Sequence, residues 1–304
     1  MKRRSHANLP ASVHRRLLNR ARDTGQPFNY LLQHFAMERF LFRLSRSEYA
    51  ERFILKGALM LTVWGVPVGR PTMDIDLLGR TNNSIEGLVR LFGAVCNLDV
   101  EADGIAFDAS TLVGERIMEE AQYEGVRLRF RGSLGNAAIS MQVDVGFGDV
   151  VIPSAEVVDY PALLDFPGPR LSGYSRESTI AEKLHVMTGR GLLTSRMKDF
   201  FDVWLLSRHS SFSGDTLAEA IRATFARRGA QVEGEPEVLT AGFASDGTKT
   251  AQWRALLHRS RLTDAPTDLA EVVGDLAVFL GPVTQALSAG EPFHKRWQAP
   301  GPWT

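Results

Sequence analysis

Two aspartates in an apolar segment offer the clearest chemistry in this sequence. Asp74 and Asp76 alternate with aliphatic residues over positions 73–77. In a β-strand, both carboxylates would leave one face and the aliphatic side chains the other. Adjacent carboxylates repel unless a proton or a cation lies between them, and Mg²⁺ prefers such hard oxygen ligands. The pattern therefore favours a metal-binding pair, although a solvated strand edge can carry similar acids.

The residues just upstream can bind phosphates. Residues 53–58 form an apolar run that ends in a small-residue turn, and a compact apolar segment follows at 59–64. A strand, a turn that exposes backbone N–H groups and a helix start can hold a triphosphate through amides and the helix dipole. Followed by the aspartate pair, this arrangement indicates nucleotide chemistry. The residues assigned to the triphosphate here are Lys56, Gly57, Arg70 and Thr72.

A third aspartate, Asp144, lies in the middle of another apolar strand pattern. A carboxylate there is costly unless it is paired or metal-bound. In a two-metal reaction, a third acid binds the ion that activates the attacking hydroxyl. A structural alternative pairs Asp144 with Arg127 or Arg129 across the sheet. Because Asp74 and Asp76 are also present, we favour the metal.

Charged side chains on two predicted helices in the C-terminal half allow two interpretations. Lys183, Arg190 or Arg196 can neutralise Asp199 and Asp202 in an ion network between the helices. Alternatively, Lys183 offsets the charge of a nucleotide triphosphate, with the arginines assisting and the aspartates orienting them. Spacing alone leaves both interpretations open.

Composition describes an ordinary globular protein. With 304 residues and 44% hydrophobic content, the chain can bury a sizeable core. It has 35 basic and 35 acidic side chains, so its net charge gives no overall attraction to nucleic acid. The single Cys96 excludes a disulfide framework. We find no apolar run near the roughly 20 residues that span a bilayer and no apolar signal core, so we expect a cytoplasmic protein without a membrane partner.

Basic residues are concentrated at the N-terminus. Residues 1–22 hold seven lysines and arginines, and the first acid is Asp23. Such a block commonly contacts phosphates, although a solvated helix face has the same composition.

The pattern of elements predicts an α+β chain with two lobes. Residues 125–130 and 138–147 have the period of two antiparallel strands, and a Pro/Gly cluster near residue 160 predicts a domain boundary. The expected parts are a basic helical cap at 1–45, a core with a mixed twisted sheet flanked by helices at 46–160, a helical bundle at 161–290 and a flexible tail at 291–304.

Several motifs, taken in order, carry a family resemblance. They include Glu38-Arg39-Phe40-Leu41, Phe53-Ile54-Leu55-Lys56-Gly57-Ala58, Arg70-Pro71-Thr72-Met73-Asp74-Ile75-Asp76, Gln142-Val143-Asp144-Val145, Ala181-Glu182-Lys183-Leu184 and Arg196-Met197-Lys198-Asp199-Phe200-Phe201-Asp202. Over roughly residues 8–262 the chain resembles the AbiEii/AbiGii abortive-infection toxins of type IV toxin-antitoxin systems. These toxins are nucleotidyltransferases of the DNA polymerase beta superfamily.

The resemblance implies a nucleotidyltransferase-fold lobe followed by a helical lobe. It implies the catalytic residues Asp74, Asp76, Asp144, Lys183 and Asp199, of which Asp74, Asp76 and Asp144 bind metal. It makes Lys183 a contact of the triphosphate, and the charge pattern above adds Arg190, Arg196 and Asp202 to the residues that bind the NTP. Ala58 departs from many relatives, which have a second Gly there, and from the wider superfamily, which has Ser. Loss of the Ser hydroxyl would remove one phosphate contact.

The resemblance also implies the reaction and the partners. Characterised relatives transfer a nucleotide from an NTP to the 3′ end of tRNA, with two Mg²⁺ ions expected, which blocks aminoacylation and translation. The implied RNA contacts are Arg15, Arg16, Arg20, Arg222, Arg227 and Arg228. Such toxins have an adjacently encoded antitoxin, often with a winged-helix domain, and whether it contacts this chain stays open. We expect a monomer.

Two other functions stay open. One is a nucleotidyltransferase for a small hydroxylated molecule such as an antibiotic, which predicts an acidic pocket and no RNA requirement. The other is a nucleotide-binding regulator with a degenerate site, which the intact acids and Lys183 disfavour.

Overall fold

The protein forms two compact units of mixed helices and strands. A computed structural model describes residues 9–67, 72–119, 123–262 and 265–304. The first unit takes its described residues from 9–63, 72–148 and 157–173. The second unit takes its described residues from 64–67, 149–156 and 174–304. The α+β class predicted from the sequence is confirmed.

The first unit is built around a seven-stranded sheet. Its helices are α1 (Leu9–Thr24), α2 (Phe28–Arg46), α3 (Leu59–Val63) and α4 (Ile85–Cys96). The strands of the sheet are β1 (Phe53–Lys56), β2 (Ile75–Gly79), β3 (Ile105–Glu119), β4 (Tyr123–Leu134), β5 (Ala137–Phe147), β6 (Glu156–Asp159) and β7 (Arg170–Gly173).

The sheet is mixed, in the order β3-β4-β5-β2-β1-β7-β6. Strand β1 pairs antiparallel with β2 and parallel with β7, and β2 pairs parallel with β5. Strands β3, β4 and β5 form an antiparallel meander, which confirms the predicted pairing of 125–130 with 138–147. Strand β2, which follows Asp74 and carries Asp76, is therefore central.

Helix α2 anchors the core of this unit. Its side chains from Leu31 to Leu44 are buried, apart from that of His34, which is half-buried. Phe40 is fully buried. The centroid of its ring lies 5.7, 5.6 and 5.1 Å from the ring centroids of Phe92, Phe107 and Phe130. Buried aromatic pairs of this kind contribute more than their area alone.

Buried charges in the same helix account for the Glu-Arg-Phe-Leu motif. Glu38 and Arg39 are each 1% exposed and lie 2.5 Å apart, and Arg39 also donates to the Pro167 carbonyl at 2.7 Å. Arg43 donates to both carboxylate oxygens of Asp103, at 2.7 and 3.1 Å. Burial raises the pKa of Glu38, and the charge of Arg39 opposes this rise. The Glu38–Arg39 ion pair of this motif is therefore part of the buried scaffold.

In this unit, the sequence prediction missed strands β3, β6 and β7 and placed the domain boundary too early. In β3 the register with β4 shifts between Asp108 and Val113, which interrupts the two-residue period that reveals a strand. The Pro/Gly-rich residues 161–169 predict a boundary near residue 160, but the chain returns through β7 to pair with β1, so the first unit extends to Gly173. The composition of a loop does not reveal with which strand the following residues will pair.

A pH effect on stability follows from His34. Burial lowers the pKa of its imidazole to about 4, whereas the unfolded chain titrates near 6.5. Protonation between these values favours the unfolded chain, so stability is lost as the pH falls through this window. Between pH 7 and pH 5, we expect the wild type to lose about 2 kcal/mol more of its unfolding free energy than His34→Gln. Denaturant unfolding of both proteins at both pH values measures this, and equal losses would contradict it.

The second unit is helical. Its helices are α5 (Arg176–Arg190), α6 (Met197–His209), α7 (Gly214–Arg227), α8 (Ala241–Ser245), α9 (Gly247–Ser260) and α10 (Leu269–Ala289). A short ribbon joins β8 (Phe212–Ser213) to β9 (Arg296–Trp297). The predicted helical bundle is thus present, and α6 is buried on nearly every side, as its apolar pattern indicates.

The C-terminal residues are packed, contrary to the flexible tail predicted for 291–304. Trp297 is 3% exposed and donates to the Ser207 carbonyl at 2.7 Å. Trp303 is 9% exposed and donates to the Phe279 carbonyl at 2.7 Å, with its ring stacked on that of Phe279. The Pro and Gly content of this segment predicts irregular backbone correctly, but the two tryptophans fix it to the bundle.

Helix α10 corrects the expectation that no apolar run approaches membrane-spanning length. It has 21 residues and a mean hydropathy of 1.4, enough by length and composition alone to cross a bilayer. One face is buried in the second unit, and Asp275 accepts a hydrogen bond from the Trp204 indole at 2.9 Å. These contacts fix one face of α10 in the second unit.

Candidate functional site

Three aspartates of the first unit lie together. One carboxylate oxygen from each of Asp74, Asp76 and Asp144 lies within 4.8 Å of the others. Asp74 directly precedes β2, Asp76 is its second residue, and Asp144 lies near the end of β5. The structure therefore brings the three predicted metal ligands to one place. Three carboxylates are a donor set that suits a hard divalent cation such as Mg²⁺.

The sheet register explains why these acids meet. Asp76 on β2 lies directly beside Asp144 on the parallel strand β5. Across the sheet, Asp76 is opposite Lys56 on β1, and Asp144 is opposite Arg127 on β4. Directly opposed residues share a face of the sheet. Four neighbouring strands thus carry a row of two acids flanked by two cations.

Arg127 binds Asp144 through both carboxylate oxygens. Its Nε donates to Oδ1 at 2.8 Å and its Nη2 donates to Oδ2 at 2.7 Å. The hydrogen bonds to Asp144 are the largest cause that raises the pKa of Arg127. The pairing considered as a structural alternative from the sequence is therefore present, and it coexists with the acid cluster.

Gly57 lies against Asp76 and requires the absence of a side chain. A Cβ on Gly57 would lie 2.1 Å from Asp76 Oδ2 and 2.9 Å from Asp76 Cβ. Its φ of +71° also belongs to the left-handed region that favours glycine. In this structure, Gly57 makes room for a metal-binding carboxylate, a role that the sequence did not reveal.

Two polar residues position the acids. Thr72, assigned from the sequence to the triphosphate, is 8% exposed and donates to Asp74 Oδ1 at 3.1 Å. Gln33 of α2 donates from Nε2 to the carbonyls of Met73, at 3.2 Å, and Ser140, at 3.0 Å. Gln33 thereby joins the entry of β2 to β5. Sequence reasoning missed this residue, although a glutamine on the apolar face of a helix was the available signal.

A second charged cluster lies within the second unit. Lys183 on α5 lies 2.6 Å from Asp199 Oδ1 and 2.8 Å from Asp202 Oδ2, both on α6. The side chains of Lys183, Asp199 and Asp202 are 15%, 5% and 0% exposed. Arg196 lies 3.8 Å from Asp199 Oδ2. The ion network allowed by the sequence is thus formed, and its lysine keeps some exposure.

A family model for the nucleotidyl transferase AbiEii toxin of type IV toxin-antitoxin systems matches residues 39–274. This match covers most of the chain, including both charged clusters. The chain belongs to the AbiEii family. The resemblance inferred from the motifs is confirmed, and with it the nucleotidyltransferase class of this toxin. No curated protein matches the sequence.

Two solved structures from Helicobacter pylori are similar to this AbiEii chain over most of their length. JHP933 is 15% identical, with 86% of this chain and 92% of that chain covered and a TM-score of 0.46. A protein described as a nucleotidyltransferase is 16% identical, with 86% and 95% covered and a TM-score of 0.43.

The other residues assigned to the NTP have mixed placements. Arg70 lies outside the described residues. Lys56 is 8% exposed and lies opposite Asp76. Arg190 is exposed at the end of α5, and Arg196 precedes α6 with 38% of its side chain exposed.

The six predicted RNA contacts divide into two groups. Arg15, Arg20, Arg222 and Arg227 are exposed. Arg16 instead forms an ion pair with Asp165. Arg228 is engaged as well, because its side chain is only 5% exposed and lies 3.3 Å from Asp149 and 3.2 Å from His185 Nδ1. A phosphate contact by Arg228 would break this buried group, which corrects its assignment from charge alone.

Proposed function

We propose that this AbiEii protein transfers a nucleoside monophosphate from an NTP to the 3′ end of tRNA and thereby blocks translation in the cytoplasm. The observation that carries the proposal is the convergence of Asp74, Asp76 and Asp144 on one face of the sheet. This convergence occurs in a chain whose family is that of nucleotidyl transferase toxins.

The carboxylates of Asp74, Asp76 and Asp144 would hold Mg²⁺, with two ions expected. When bound, Mg²⁺ neutralises charge on the phosphoryl group that is transferred. Thr72 holds Asp74 and Gly57 leaves room for Asp76, so the two ligands are fixed before substrate arrives.

In the proposed reaction, the tRNA 3′-hydroxyl oxygen attacks the α-phosphorus of the NTP. The bond from that phosphorus to the pyrophosphate oxygen breaks, and pyrophosphate leaves. Asp144 receives the hydroxyl proton. Lys183 would offset charge on the triphosphate, while Asp199 and Asp202 fix its ammonium group.

Partners follow from the same proposal. The exposed arginines Arg15, Arg20, Arg222 and Arg227 contact the tRNA backbone. As a type IV toxin, the protein has a cognate antitoxin, and we propose that this antitoxin carries a winged-helix domain and is encoded adjacently.

The test incubates the purified full chain with total tRNA, Mg²⁺ and each labelled NTP in turn. We expect label on tRNA with the wild type and none with the Asp74→Ala/Asp76→Ala variant. Periodate-oxidised tRNA, which lacks an intact 3′ ribose, should accept no label. NTP binding without labelled tRNA for any NTP would overturn the proposal in favour of a small-molecule transferase or an inactive regulator.

A further inference from the structure

Both oxygens of the third carboxylate already have a partner. Arg127 donates to Asp144 Oδ1 at 2.8 Å and to Oδ2 at 2.7 Å, and Gln142 Nε2 lies 3.4 Å from Oδ2. A bidentate Arg–carboxylate pair is among the strongest side-chain contacts in proteins. A divalent cation that binds Asp144 must therefore compete with a guanidinium that keeps its own positive charge.

Arg127 also has a second acid within its reach across the sheet. It lies directly opposite Asp144 on β5 and directly opposite Glu115 on β3. Glu115 is half exposed and pairs with Arg129 at 2.7 Å. The guanidinium thus lies between an acid of the metal cluster and an acid outside it.

We propose that Arg127 is an exchangeable counter-ion of Asp144, which holds this carboxylate when no divalent cation is bound and releases it toward Glu115 when one binds. The inference rests on the metal site of the proposed function. It makes Arg127 a positioning residue that sets how tightly the site takes its cation.

The physical reason is the charge balance of the cluster. Without a cation, three carboxylate oxygens within 4.8 Å of one another repel. Arg127 neutralises one of them and keeps Asp144 in the cluster. With a cation on Asp144, two positive charges would share the same oxygens, so the guanidinium is repelled. Occupation by Arg127 therefore lowers the affinity of the site for its cation.

The experiment measures Mn²⁺ binding to the full chain without nucleotide, counting free Mn²⁺ by electron paramagnetic resonance. We expect Arg127→Met to bind Mn²⁺ about tenfold more tightly than the wild type. Arg127→Lys keeps the charge but loses the bidentate geometry, so we expect it to bind several-fold more tightly. Thermal melting should show Arg127→Met less stable than the wild type in chelator and more strongly stabilised by Mn²⁺.

Matched variants separate exchange from a general change of charge. Arg131→Met removes an exposed positive charge from the same face of β4, where it lies opposite Asp108 and Ser140 rather than Glu115, and should bind Mn²⁺ as the wild type does. Glu115→Gln removes the alternative partner of Arg127 and should weaken Mn²⁺ binding a few-fold. Asp74→Ala/Asp76→Ala should bind no Mn²⁺ in the same concentration range.

The outcomes distinguish this inference from the proposed function. Wild-type protein that binds no Mn²⁺ would remove the metal site itself, and the inference with it. If the wild type binds Mn²⁺ and Arg127→Met binds it equally or less tightly, the inference alone is overturned. The inference is also overturned if Arg127→Met binds Mn²⁺ more tightly than the wild type while Arg127→Lys binds it with wild-type affinity. The positive charge at position 127, and not exchange of the bidentate pair, would then explain the effect.

Discussion

Replacing Gly57 with alanine is expected to reduce nucleotidyl transfer at least about 100-fold. The new Cβ would lie 2.1 Å from Asp76 Oδ2, 2.8 Å from Cγ and 2.9 Å from Cβ. Asp76 cannot yield easily, because its strand is held between β1 and β5 and the collision includes the root of its side chain. The carboxylate must therefore leave the position in which it meets Asp74 and Asp144.

Gly25→Ala is a matched control for this substitution. Gly25 has a φ of +69°, close to that of Gly57, but a Cβ there would meet nothing within 4 Å. Both variants bear a backbone cost of about 1 kcal/mol, and only Gly57→Ala displaces a carboxylate. Labelled-NTP transfer and Mn²⁺ binding should fall for Gly57→Ala and persist for Gly25→Ala. Wild-type Mn²⁺ affinity in Gly57→Ala would contradict the prediction.

The Lys183→Met substitution is expected to lower the unfolding free energy by about 3–5 kcal/mol at pH 7. It leaves Asp199 and Asp202, which are 5% and 0% exposed, without the ammonium that lies 2.6 and 2.8 Å away. Denaturant unfolding at pH 7 measures this loss, and an unchanged free energy of unfolding would contradict the prediction.

Two further variants complete this test. Lys198→Met removes an exposed lysine from the first turn of α6. It should change the free energy of unfolding by less than about 0.5 kcal/mol. Lys183→Met/Asp199→Asn/Asp202→Asn removes every charge of the cluster and should regain much of the lost stability. If this stable variant transferred nucleotides at the wild-type rate, Lys183 and its two aspartates would be structural only.

Local pattern predicted two strands of the sheet well. The strands expected at 125–130 and 138–147 lie within β4 and β5. Their periods are uninterrupted, so neighbouring residues report the burial of each face. Strand β3 escaped prediction because its register shift between Asp108 and Val113 breaks the period. The packed tail escaped because composition does not reveal long-range contacts such as Trp303 to Phe279.

Charge alone did not reveal which basic residues are paired. Arg16 and Arg228 stand in basic segments, yet both are engaged with acids of their own unit. The sequence reveals which residues carry charge. Whether a charged side chain is buried or paired depends on which residues, distant in sequence, the fold brings next to it. Thr72 illustrates the same limit, because its hydroxyl donates to Asp74.

Residue type and short-range order were enough to predict the family, the α+β class and the acids that a nucleotidyltransferase needs. The fold alone reveals that Asp144 lies beside Asp76 and that Gly57 must lack a side chain. It also shows that Arg127 occupies both oxygens of Asp144, a pairing that the sequence left open. Each of these facts depends on the register between neighbouring strands, and register is set by the packing of the whole sheet.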